Sequence, residues 1–208
     1  MSRSYPALQT GRLVVGVLAL MLGLTTAASA QDTASAGDKF EFRVSGGYLV
    51  ATGAQRTQVT DAQVTAAQLS WVVHPRLALN GTFGWARSRD RIAAGTPKLD
   101  VVNCDVGGEL RTARWSLGGP FSLSAFGGLG VGFRSYNYRS LDLPATYNLA
   151  GYGSVGGEVG IGRVGLRLEA RDYLTGFKPL AGQGGSATRN DVMITAALRF
   201  NLRPVAGA

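Results

Sequence analysis

In the segment Val164-Gly165-Leu166-Arg167-Leu168-Glu169-Ala170-Arg171 the even positions are apolar and three of the four odd positions are charged. A strand presents successive side chains to opposite faces, so this run has one greasy side and one ionic side. Seven other segments of the chain alternate in the same way. The question that constrains the fold is which of the two sides faces inward.

Strands are expected at about 39–51, 62–74, 76–87, 99–112, 120–136, 147–160, 163–175 and 190–203. No amphipathic helix of useful length lies between them. Tight turns are expected at His74-Pro75, around Trp115 to Gly119, and at Gly160-Ile161-Gly162. The remaining connections, Thr52 to Asp61, Ser88 to Lys98, Asn137 to Thr146 and Gly176 to Arg189, are long, polar and rich in Gly, Ser and Thr. Short and long connections therefore alternate, which gathers every long loop at one end. Outer-membrane barrels sort their loops in this way.

One face of the strands carries Phe40, Phe42, Val44, Tyr48, Leu69, Trp71, Leu79, Phe83, Cys104, Val106, Leu129, Val131, Leu166, Leu168, Ile194, Leu198 and Phe200, with Asp172 as the one candidate charge. The other carries Glu41, Arg43, Asp105, Glu109, Arg111, Arg134, Glu158, Arg167, Glu169, Arg171 and Arg199, five acidic and six basic groups. A soluble barrel has no need of such balance on its outer surface. Inside a membrane barrel each unpaired charge is costly, so near-neutrality is required. A lipid-facing charge at the midplane costs roughly 2–4 kcal/mol, which explains the clean apolar face. The aromatics also sort by height: Phe40, Trp71, Phe121 and Phe200 toward one rim, and Trp85, Tyr136, Tyr138 and Tyr147 toward the other. The expected fold is all-β, an eight-stranded antiparallel up-and-down transmembrane barrel. Its interior would be just wide enough to be filled by side chains.

The ends of the chain agree. Arg3 and Arg12, the apolar stretch Leu13 to Leu24, and Ala28-Ser29-Ala30 have the form of a secretory leader. The expected organisation is a signal peptide at 1–30, a flexible lead-in at 31–38, the barrel at 39–203 and a short tail at 204–208. The lone Cys104 cannot form an internal disulfide. The chain is basic, with 21 Lys and Arg against 13 Asp and Glu. Export argues against nucleic acid and in favour of anionic lipid headgroups or polysaccharide as partners.

These features resemble the small eight-stranded outer-membrane barrels typified by the transmembrane domain of OmpA and by OmpX. The resemblance covers the mature chain. It includes a last strand, Val192 to Phe200, similar to the C-terminal signal read by the barrel assembly machinery, although Asn201 to Ala208 follow it. The resemblance implies an outer-membrane location, and a structural, adhesive or ligand-contact role carried by four long extracellular loops.

Sites of chemistry are sparse. Gly128-Leu129-Gly130-Val131-Gly132 lacks the spacing and the following helix of a dinucleotide site. Glycines there are expected to make room for Tyr152, Phe126 and long arginines. His74, the only histidine, falls in a turn at the end remote from the long loops. No catalytic residue, cofactor or metal site is expected, since His, Cys and carboxylates show no ligand spacing. Arg87, Arg89 and Arg91, beside Trp85, are the candidate contact for lipopolysaccharide phosphates. The alternatives are a narrow conduit for small apolar solutes, a lipid A-modifying enzyme, and a soluble lipocalin-like barrel.

Overall fold

The computed structural model describes residues 40–52, 56–139, 141–143, 145–177 and 187–202. The expected leader, lead-in and tail lie outside the described residues, as does most of the connection after Gly176. Nine strands are described: β1 (Phe40–Ala51), β2 (Ala62–His74), β3 (Leu77–Arg89), β4 (Lys98–Arg111), β5 (Trp115–Gly118), β6 (Phe121–Tyr138), β7 (Thr146–Ile161), β8 (Val164–Phe177) and β9 (Ala187–Leu202).

All neighbouring pairs are antiparallel, and both β4–β6 and β1–β9 pairings are present, so the sheet closes on itself. The short β5 pairs only with β6 and continues the β4 wall after a break at residues 112–114. The barrel therefore has eight staves. Closure satisfies every ladder without leaving a long edge.

The structure extends two of the expected elements. β6 runs to Tyr138, and Trp115–Gly118 is strand rather than turn. The reversal there is confined to Gly119-Pro120. Gly118 and Gly119 take φ of +96° and +57°, a region glycine enters without steric cost. The β7–β8 turn is Gly162-Arg163, with Gly162 at φ +59°.

The alternation resolves in favour of an apolar exterior. Leu166 and Leu168 are 55% and 62% exposed, whereas Arg167 and Arg171 are 1% and 3% exposed. Leu129, Val131, Phe133, Val106 and Ile194 also point outward. A solvated exterior of this composition would be an extreme apolar patch, so this is the partition of a membrane-spanning barrel. It excludes the lipocalin-like alternative, whose apolar groups would line a cavity.

Two aromatic expectations are corrected. Tyr136 and Tyr138 do not belong to a rim but lie inside, at 1% and 9% exposure. Their even numbering on β6 matches inward Arg134, and strand periodicity overrides residue type. The interior is also not uniformly polar. Toward the long-loop end, Leu49, Val64, Leu99, Val101, Met193, Tyr136 and Tyr152 pack as an apolar and aromatic layer. Most of the ionic residues lie beneath it, while Asp191 is level with Ala51 at its top.

Candidate functional site

The ionic interior begins with pairs two residues apart on one strand, which the pleat aims to the same side. Glu41 and Arg43 stand on β1, Glu109 and Arg111 on β4, and Arg167, Glu169 and Arg171 on β8. None of these three strands is a ladder neighbour of another, so contacts among them cross the lumen. Arg43 Nη1 lies 3.4 Å from Glu109 Oε2, and its Nη2 lies 2.9 Å from Glu41 Oε2. Arg111 grips Glu41 with two nitrogens at 2.7 and 2.8 Å and reaches Glu109 Oε1 at 2.7 Å. Arg167 donates to both oxygens of Glu109, at 2.5 and 3.2 Å. Its Nη2 is also 3.2 Å from Glu169. Arg171 binds Glu169 at 2.7 Å and approaches Asp105 at 3.6 Å.

These contacts connect four carboxylates and four guanidiniums into one neutral network. Bidentate geometry and mutual pairing are what make burial of such groups tolerable. Aromatic faces complete the solvation. Arg167 lies 3.1 Å over Phe126, Arg171 4.3 Å over Tyr152 and Arg134 4.0 Å over Tyr173, contacts that stabilise desolvated cations. The Tyr173 hydroxyl donates to Asp105 at 2.6 Å.

Two further groups are separate. Arg199 pairs with Glu158 at 2.7 Å. Arg134 and Arg189 both bind Asp191 Oδ2, at 2.7 and 2.6 Å. All eleven expected lumen residues are thus inside and paired. Sequence reasoning missed Arg189, Asp191, Asn103 and the inward Tyr136 and Tyr138, although β9's odd positions up to Arg199 carried the same signal.

At the long-loop end, two of the connections are tied together among the described residues. Val59 of the first long loop forms an isolated bridge with Asp90 of the second, and both are at most 1% exposed. Asp90 Oδ1 accepts from the backbone of Ile92 and Ala93 at 2.8 and 3.1 Å, and Oδ2 accepts from Tyr138 at 2.7 Å. With Asp90 included, seven carboxylates and seven arginines are buried among the described residues of the barrel and its mouth, taking the one-eighth-exposed Arg111 with them. The plug is electrically neutral.

Outside, just above Trp85, the outward positions of β3, β4 and the end of β6 form a basic patch. Arg87 is opposite Asp100, and Arg89 is opposite Lys98. Arg139 reaches Asp100 at 2.7 Å. Arg87 and Arg139 lie 4.2 and 5.9 Å from the Trp85 ring. Four cations thus surround one carboxylate. Lys98 and Arg139 were missed because the cross-strand register, not sequence proximity, brings them to Arg87. Arg91 is exposed but lies past the end of β3, where strand alternation no longer aims it outward.

His74 is exposed at the opposite end, and its Nδ1 accepts from the Arg76 backbone at 3.2 Å. Cys104 faces outward from mid-β4. No group of three or more metal-ligating side chains occurs among the described residues.

No protein-family model matches the sequence, and neither does any curated protein. Solved structures do resemble the fold. Neisserial surface protein A shares 9% identity over 81% of this chain and 100% of its own, with a TM-score of 0.58. The attachment invasion locus protein Ail of Yersinia pestis shares 12% over 78% of this chain and 99% of its own, at 0.41. The N-terminal β-barrel domain of Pseudomonas aeruginosa OprF shares 10% over 80% and 99%, at 0.40. At these identities the likeness is one of fold.

Proposed function

We propose that the protein is a sealed, non-enzymatic barrel of the outer membrane that holds anionic glycolipid of the outer leaflet at its surface, in an envelope-structural or adhesive role. The observation that carries this reading is the patch of Arg87, Arg89, Lys98 and Arg139 around Asp100. It stands at the rim where the apolar wall ends, with Trp85 beneath it. Guanidiniums at that height meet lipid phosphates with charge-assisted, often bidentate bonds. The partner class is lipopolysaccharide, whose phosphates would displace Asp100 from Arg139. Arg91 is the remaining candidate contact, on the loop above.

The plug supports the non-enzymatic reading, since its described carboxylates are held in pairs with arginine, and His74 lies at the end remote from the long loops. On the same reading, β9, which closes the barrel against β1, is the segment presented to the barrel assembly machinery. The test is thermal stabilisation of the purified barrel by bisphosphorylated lipid A, compared with its dephosphorylated form. The wild type should be stabilised only by the phosphorylated form, and less so as salt rises. The R87Q/R89Q/K98Q/R139Q variant should lose the effect while keeping its heat-modifiable mobility. Equal stabilisation of variant and wild type would refute the assignment.

A further inference from the structure

The two ends of the barrel differ in charge. At the long-loop end, arginines are interspersed with Asp61, Asp100 and Asp142. At the short-turn end, Arg76 and Arg163 stand in the β2–β3 and β7–β8 turns, and Arg114 stands in the break that leads into β5. Arg114 and Arg163 are exposed and Arg76 is half-buried. Among the described residues no carboxylate accompanies them outside the lumen, since Glu41, Glu109 and Glu158 lie inside and are paired with arginine. Next to β1 and β9 in sequence the chain adds Lys39 and Arg203 against Asp38, so the balance stays positive. The backbone beneath each cation is tied to a neighbouring stave. The Arg76 carbonyl accepts from the Arg111 amide at 2.9 Å, and the Arg163 carbonyl accepts from the Asn201 amide at 3.0 Å. Thr112, two residues before Arg114, donates its amide to the Ala125 carbonyl at 2.9 Å.

We infer that this end is a docking surface for the phosphates of anionic phospholipid headgroups, an inference that rests on the membrane-spanning reading of the barrel and is independent of the outer basic patch. Height along the wall selects the partner. Arg114 directly precedes Trp115, and Arg163 directly precedes Val164, which is opposite Phe200. Exposed Phe40, Trp71, Trp115, Phe121 and Phe200 mark the level at which the apolar wall ends, which is where headgroups begin. Phosphate is the anion at that depth, and guanidinium takes it with charge-assisted bonds. Any apolar wall touches lipid, but an uncompensated set of cations also sorts headgroups by charge. A zwitterionic headgroup brings its own ammonium and gains little. Each basic side chain at an anionic membrane surface shifts the equilibrium roughly fivefold, so three amount to about a hundredfold at low salt. The tied backbone holds the three cations in place before the lipid arrives, which lowers the ordering cost of the contact.

The test uses the R87Q/R89Q/K98Q/R139Q protein as background, so that the outer patch is already neutral and failure of the lipopolysaccharide reading leaves the result untouched. Urea midpoints are measured in phosphatidylcholine vesicles with and without phosphatidylglycerol, the folded fraction being read from mobility before and after boiling. The background protein should gain stability from phosphatidylglycerol at low salt and lose most of that gain at high salt. Adding R76Q/R114Q/R163Q should abolish the gain, whereas R76K/R114K/R163K should keep it. If the triple glutamine variant does not fold, R114Q alone is read, with about a third of the gain lost if the three cations contribute equally. No gain in the background protein, an equal gain in the glutamine variant, or a loss as large with lysine as with glutamine would each overturn the inference. A barrel that did not span the membrane would instead lose heat-modifiable mobility in both kinds of vesicle, a distinguishable result.

Discussion

Replacing Glu109 with Gln isolates the electrostatic worth of the plug, because the side chain keeps its shape and loses only its charge. Glu109 accepts from Arg43 at 3.4 Å, Arg111 at 2.7 Å, Arg167 at 2.5 and 3.2 Å, and Asn80 at 3.4 Å. The substitution leaves three guanidiniums around an amide that must still turn its NH₂ toward one of them. The network then holds four cations against three anions, with Arg43 and Arg167 both at most 2% exposed. Breaking one buried pair costs about 3–5 kcal/mol. That is a large part of a typical total stability of about 5–15 kcal/mol. The assay is urea unfolding in phospholipid vesicles, with the folded fraction followed by mobility before and after boiling. Pairing E109Q with R167M restores neutrality, so the double variant should be less destabilised than the sum of the two, by a coupling of up to about 3 kcal/mol. The exposed pair Arg139–Asp100 is the control, and R139Q should cost less than about 1 kcal/mol. A loss below about 1 kcal/mol for E109Q, or strict additivity in the double variant, would refute the claim that this network is a coupled, desolvated plug.

Other outcomes follow from the same partition. Leu168→Arg, on the lipid side of the strand that holds Arg167 inside, should destabilise the barrel by roughly 2–4 kcal/mol in the same titration. A Cβ at Gly130 would collide with the Tyr152 ring and the Val106 carbonyl, so Gly130→Ala should cost about 1–3 kcal/mol. Adding Tyr152→Ala should make the double variant less costly than the sum of the single changes. In planar bilayers the wild type should give no resolved conductance steps, since the ionic plug and the apolar layer above it fill the lumen. Regular channel openings would contradict this.

Much of this was legible in the chain itself. Glu41/Arg43, Glu109/Arg111 and Arg167/Glu169/Arg171 announce their common face through spacing alone, because a strand repeats every two residues. That Trp85 and Arg87 share the outward face beside a long loop was readable from their spacing of two. Tyr136 and Tyr138 were misplaced when residue type was allowed to outweigh parity. Trp115 to Gly118 was misread because Gly118-Gly119-Pro120 marks a turn without marking where pairing resumes. Lys98 and Arg139 could not be assigned to the patch, because their approach to Arg87 depends on register between strands remote in sequence.

The sequence alone determined the strands, the alternation of loop lengths and the segregation of charge to one face, since each is a local property of side-chain order. Which arginine meets which carboxylate was decided only by closure. Joining β9 to β1 and β4 to β6 rolls the ionic face into a tube narrow enough for Arg43 and Arg167 to reach the same carboxylate on β4. Register also set Gly81 and Gly108 on one diagonal of the outer wall. Neighbouring glycines on a strand pair make a hollow only when register sets them on one diagonal, and register is a property of the folded sheet.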